Sequence, residues 1–244
     1  MFRRSLIVLN VVLILAPFTP AAEKPKSVWE GVFTAAQAER GRVGYERSCR
    51  TCHGEDLTKS GDVLVGTKFM DHWLEDTAKN LFTIVQNSMP RNAPRSLSDN
   101  QYLDLVAYLL QANEFPAGSE ELTVEALERV QIVRKSGPGP VPSFALVSVV
   151  GCLTQVSGDN WALKNASEPV RTHNPYASVD KELAEVSAKV AGQRTFGLLD
   201  IRNFPAPANA GHWMEAKGLL IREPNDDRLN LTWLRSIKDS CNLP

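Results

Sequence analysis

The segment Cys49-Arg-Thr-Cys52-His53 constrains this chain more than any other stretch. Two thiols three residues apart, followed at once by an imidazole, serve few purposes. A redox pair of the thioredoxin kind stands between a strand and a helix, whereas here a helical pattern runs into the motif. A structural zinc site needs a second pair of ligands, and Cys152 and Cys241 lie far along the chain. A plain disulfide leaves His53 without a reason. Covalent attachment of one c-type haem uses all three residues: each thiol adds to a vinyl group and the adjacent imidazole lies against the iron.

A six-coordinate iron needs a second axial ligand, and the candidates are Met70, His72, Met89 or none. Met89 is favoured because it follows a helical stretch and precedes Pro90, in a loop that can swing its thioether over the open haem face. Met70 and His72 read as surface or haem-edge residues in a polar turn before Trp73. The alternative role for Met89 is ordinary core filling.

Around the motif three helices are legible. Thr34-Ala-Ala-Gln37 is a capping-box pattern opening a helix that runs towards Ser48. Residues 74–87 carry Leu81, Phe82, Ile84 and Val85 at helical spacing. Ser98-Asp-Asn-Gln101 is a second capping box, with Leu97 and Tyr102 placed as a hydrophobic staple and Leu105, Val106 and Leu109 on one stripe. Residues 54–66 read as loop. Pro- and Gly-bearing stretches over 115–119 and 136–142 bracket one short helix over 124–133, so residues 118–142 read as a linker.

Beyond the linker the period changes from helical to alternating. Five strands are expected, over 144–153, 160–163, 194–199, 212–221 and 229–233, with one helix over 178–192. In the last strand Leu229, Leu231 and Trp233 alternate with polar residues. Five strands and a helix in about 100 residues suggest a small, mainly β barrel of OB-like type. Trp161, Trp213 and Trp233 could line a binding face or pack the core. His173 and His212 receive no role, and no catalytic triad, carboxylate pair or phosphate-binding glycine loop stands out.

The first 22 residues are set apart. Arg3 and Arg4 precede an apolar run over 6–15 and a small-residue end, a secretory signal pattern with cleavage after Ala21 or Ala22. The run is shorter than the roughly 20 residues a membrane span prefers. Export, to the periplasm or otherwise, with no integral span once the segment is cleaved, is the expectation; an uncleaved membrane anchor is the alternative. An oxidising compartment makes two spare thiols unusual, so Cys152 and Cys241 are expected to pair. A formal net charge of −1 with no basic segment argues against a nucleic-acid partner.

Residues 29–117 resemble class I c-type cytochromes. The likeness rests on Gly41-x-x-x-Tyr45 before Cys49-x-x-Cys52-His53-Gly54, then Ser88-Met89-Pro90, then Leu97-Ser-Asp-x-x-Tyr102-Leu and Ala107-Tyr108-Leu109. It implies first and last helices crossing beside the haem, with Gly41, Tyr45 and Tyr108 at the crossing. Val28-Trp29-Glu-Gly31 and residues 103–108 are most similar to modules that accompany periplasmic quinoprotein dehydrogenases. The implied architecture is an all-α cytochrome domain over 23–117 followed by the barrel over 143–244. The implied role is electron transfer rather than catalysis, from a quinoprotein dehydrogenase or quinol-side complex towards a terminal oxidase, with the barrel for docking. Two other classes compete: a haem-based ligand sensor with an open sixth site, and a glycan- or protein-binding module carrying an auxiliary cytochrome.

Overall fold

Thr34 and Ser98 start the two longest helices among the described residues by the same device, a hydroxyl that accepts the backbone N–H three residues on. The computed structural model describes residues 25–59, 63–179, 182, 191–224 and 226–241. The expected signal segment lies outside the described residues, as does most of the helix expected over 178–192.

The first half contains β1 (Lys26–Ser27), α1 (Ala35–Ser48), α2 (Arg50–His53), α3 (Gly66–Trp73), β2 (Asp76–Thr77), α4 (Ala78–Ser88), α5 (Asp99–Ala112) and β3 (Val130–Ile132). Helix α1 packs against α5, with Ala38 and Tyr45 on one side and Tyr102, Leu105, Val106 and Leu109 on the other contributing to one core. At Ser98 the capping box is complete, Gln101 reaching back to the Ser98 N–H. At Thr34 it is half-formed. The Gln37 amide instead pairs in both directions with the backbone of Leu122, at 2.9 and 2.8 Å.

That pairing corrects the reading of 118–142 as a linker. Leu122, Leu127, Val130 and Ile132 belong to the same core as the helices. Strand β3 pairs in parallel with β1 and antiparallel with β2, and the Trp29 indole donates to the Val133 carbonyl at 2.8 Å. A short 3₁₀ turn, Leu127–Arg129, followed directly by β3 stands where a helix over 124–133 was expected. Residues 66–73 also differ from expectation. They form helix α3 rather than loop and polar turn, and α4 begins at Ala78, not Leu74.

The second half contains β4 (Leu146–Ser157), β5 (Asn160–Ala166), β6 (Val170–Arg171), β7 (Arg194–Leu199), β8 (Trp213–Ile221) and β9 (Arg228–Lys238). Strand β4 pairs with both β5 and β8, β8 with β9, β9 in parallel with β7, and β7 with β5; β6 adds to the start of β4. Val147, Val149 and Leu153 of β4 point into a core with Leu163, Phe196, Met214, Ala216, Leu229 and Leu231. A bulge interrupts the alternation in β9: Lys217 faces Trp233, but Gly218 faces Leu231. Leu234 therefore enters the core and Trp233 does not. Trp161 is in this core, while Trp213 packs with Val150 and Cys152 in a separate cluster, so the three tryptophans share no exposed face. Cys152 and Cys241 are joined by a disulfide, with Cα atoms 5.4 Å apart.

Candidate functional site

Helix α1 ends where the motif begins. The Cys49 N–H still bonds the Tyr45 carbonyl at 2.8 Å, and one further turn, α2, carries Cys52 and His53. The chain then reverses at Gly54, whose φ of +81° and a would-be Cβ 2.8 Å from Lys59 Cβ both call for glycine. The Tyr45 hydroxyl donates to the Gly54 carbonyl at 2.8 Å, tying the far side of the turn back to α1.

The helix crossing sets the floor of the site. At Gly41 a Cβ would stand 1.8 Å from the Asp104 carbonyl oxygen, so the two backbones meet with no side chain between them. Tyr45 and Tyr108 pack beside this point with ring centroids 5.3 Å apart. From the opposite direction α4 ends at Ser88. The Met89 N–H closes its last turn, and the Tyr102 hydroxyl donates to the Met89 carbonyl at 2.8 Å. This bond fixes the backbone from which the Met89 side chain departs.

Between these elements lies a cavity of about 450 Å³. Cys49, His53 and Met89 reach it from separate elements, and Phe69, Trp73, Leu81, Ile84, Val85, Leu105 and Leu109 make most of its wall apolar. It adjoins a second depression of about 870 Å³ between residues 47–53 and 89–93, which shares Cys49, His53 and Met89 and adds Cys52. Cys49 is thus on the inner side and Cys52 on the exposed outer rim. Burial, reinforced by the neighbouring Cys52, pushes the Cys49 thiol up to about 11, so it remains protonated at neutral pH. The His53 ring is buried, and its Nδ1 has no hydrogen-bond partner among the described residues that would turn the ring away from the cavity.

These features would fit a haem: an apolar cavity with one thiol inside and one at its rim, and an imidazole and a thioether among its lining residues. Of the residues the sequence singles out, Cys49, His53 and Met89 line one cavity and Cys52 lines the adjoining depression. Of the other axial candidates, His72 lines the cavity and Met70 does not. Both stand on α3, which also contributes Lys68, Phe69 and Trp73 to the wall. The apolar pair Phe69 and Trp73, four apart, was the available signal for this helix. His173, given no role above, meets Asp76 at 2.5 Å, whereas His212 contacts Ser236 at 3.1 Å.

Residues 36–109 match the family model described as Cytochrome C oxidase, cbb3-type, subunit III. That match covers α1 to α5 and supports a class I c-type cytochrome module. Such modules bind haem and carry electrons between redox proteins. Neither the curated proteins nor the solved structures include a match to this chain.

Proposed function

We propose that this chain is an exported cytochrome that carries one covalently bound haem c and passes single electrons between periplasmic partners. The convergence of Cys49, His53 and Met89 on one apolar cavity, with Cys52 at its rim, carries the proposal. Cys49 and Cys52 would hold the haem through thioethers, and His53 and Met89 would be its axial ligands. The bound group would supply a reversible one-electron Fe(II)/Fe(III) couple, at a higher potential than paired histidines give, because a thioether favours the reduced iron. The chain's own part is to keep water from the iron with Leu81, Ile84, Leu105 and Leu109. It also holds Met89 in place through Tyr102.

The donor would be a quinoprotein dehydrogenase or a quinol-side complex and the acceptor a terminal oxidase. An oxidase-subunit description for the matched model supports the second half of that route. Among the described residues no helix is long and apolar enough to cross a membrane. The second region is read as an OB-like barrel that docks a partner. Its support is the run of pairings β4–β5–β7–β9–β8–β4, with β7 and β9 parallel.

Expression with a haem-attachment system tests the proposal. The intact protein should gain the mass of one haem and give a c-type pyridine haemochrome spectrum. Cys49→Ala together with Cys52→Ala should abolish covalent attachment. A reduced wild-type spectrum that shifts on adding carbon monoxide would replace electron transfer with ligand sensing.

A further inference from the structure

Helix α3 supplies Lys68, Phe69, His72 and Trp73 to the haem cavity, yet it is only eight residues long. Its two ends are held differently. At the start the Asn113 side chain accepts from the Gly66 N–H at 2.9 Å and donates to the Leu64 carbonyl at 3.0 Å, both within the cytochrome module. At the end a helix leaves its last carbonyls without intrahelical partners. Here the holder comes from the other half of the chain. The Arg171 guanidinium, on the short edge strand β6, donates to the carbonyls of Asp71, His72 and Leu74 at 2.7, 2.7 and 2.5 Å.

A planar fork with five N–H donors can serve three carbonyls at once, and a cation suits the negative end of a helix. Two residues further along, His173 meets the buried Asp76 at 2.5 Å, just past the same helix. Its ring lies 5.2 Å from Trp73 and 5.9 Å from His72, both of which wall the cavity. The second region therefore grips the cavity wall at its backbone and backs it with a ring.

We infer that Arg171 is a positioning residue through which the second region holds the α3 wall of the haem cavity, so that the haem's accessibility and potential depend on that region. The inference builds on the proposed haem site and adds a role for the second region besides docking. It acts through peptide carbonyls and touches no redox group directly.

The test uses the full chain, haem-loaded, with Arg171→Ala and Val170→Ala compared. Val170 is the exposed neighbour on the same strand and serves as control. Arg171→Ala is expected to raise hydrogen exchange over residues 66–74 and to shift the midpoint potential. It should also tighten the binding of added imidazole, which competes with Met89, by about fivefold or more, the low end of coupling between distinct sites. Val170→Ala should match wild type in all three. Haem content is measured first, because a chain that takes up no haem defeats the proposed function while hydrogen exchange still reads the clamp. Arg171→Ala indistinguishable from wild type in exchange, potential and imidazole affinity overturns the inference. Should that variant not fold, Arg171→Lys keeps the charge with one nitrogen for three carbonyls and is expected to show a smaller shift of the same sign. Wild-type behaviour of the lysine variant then overturns it.

Discussion

Two glycines three residues apart on α1 should respond to the same substitution with opposite signs. At Gly41 an added methyl would stand 1.8 Å from the Asp104 carbonyl oxygen, where ordinary contact begins near 3.4 Å. The obstacle is backbone in the middle of α5, so relief requires the helices to part by more than 1 Å. Parting them loosens Ala38 and Tyr45 from Leu105, Val106 and Leu109, all buried. Overpacking of this kind costs about 3 kcal/mol or more, and replacing a mid-helix glycine by alanine returns about 1 kcal/mol. A net loss of about 2–4 kcal/mol is expected for Gly41→Ala. At Gly44 the new methyl would meet the Leu105 side chain, with Cδ2 at 3.7 Å and Cγ at 4.0 Å, ordinary contacts. Gly44→Ala should therefore keep the helical gain and stabilise by up to about 1 kcal/mol. Urea unfolding of the haem-loaded protein, followed by helical circular dichroism, measures both. Equal signs for the two variants, or a Gly41→Ala loss under about 1 kcal/mol, would refute the argument that the close crossing at Asp104 governs this interface.

Met89→Ala should remove the near-infrared sulfur-to-iron charge-transfer band of the oxidised protein and open the reduced form to carbon monoxide, while Met70→Ala leaves both spectra unchanged. Replacing Cys152 and Cys241 by serine opens a loop of 89 residues, for which the chain-entropy model gives at most about 4.5 kcal/mol. Tryptophan-detected unfolding of the second region should show a loss of that order, and a loss under about 1 kcal/mol would contradict it. Lys217 is buried, which lowers its pKa, with Glu215 and Glu182 restoring part of the shift. The unfolded chain then holds the proton more tightly. Stability from this group is present above the unfolded value of 10.5 and is lost as pH falls through the depressed folded value. Lys217→Met should flatten the rise in melting temperature between neutral pH and about pH 10.5. Glu215 keeps Ser178 and Arg235 as partners in that variant, so no bare charge is left behind. Parallel melting profiles for the two proteins would rule the effect out.

The features legible in the sequence are those whose information lies within a few residues. Cys49, Cys52 and His53 lie together because one helical turn spans them. Ser98 and Gln101 complete their capping box without outside help, and β7 matches its expected bounds over 194–199. The end of α4 before Met89-Pro90 was equally local. The cysteine pairing came from parity and compartment, and the fold brings Cys152 and Cys241 within bridging distance.

Other assignments depended on partners far along the chain. Gln37 left its expected cap because Leu122, 85 residues away, offers both a donor and an acceptor. Residues 130–132 carry too little pattern to announce a strand, and they form one only because β1 and β2 lie on either side. In β9 the bulge opposite Lys217 and Gly218 exchanged Trp233 for Leu234 in the core, which no alternation of residue types could indicate. Arg171 reads as an ordinary charged residue until the fold sets it against three carbonyls about a hundred residues earlier. The spacing of Cys49, Cys52 and His53 and the helix starts are decided by neighbours along the chain, so the sequence alone determined them. Which short segments become strands, which face of a strand is buried and what holds a helix end are decided by neighbours in space. Local preferences of a few tenths of a kcal/mol per residue yield there to tertiary hydrogen bonds and burial worth about 1 kcal/mol or more each.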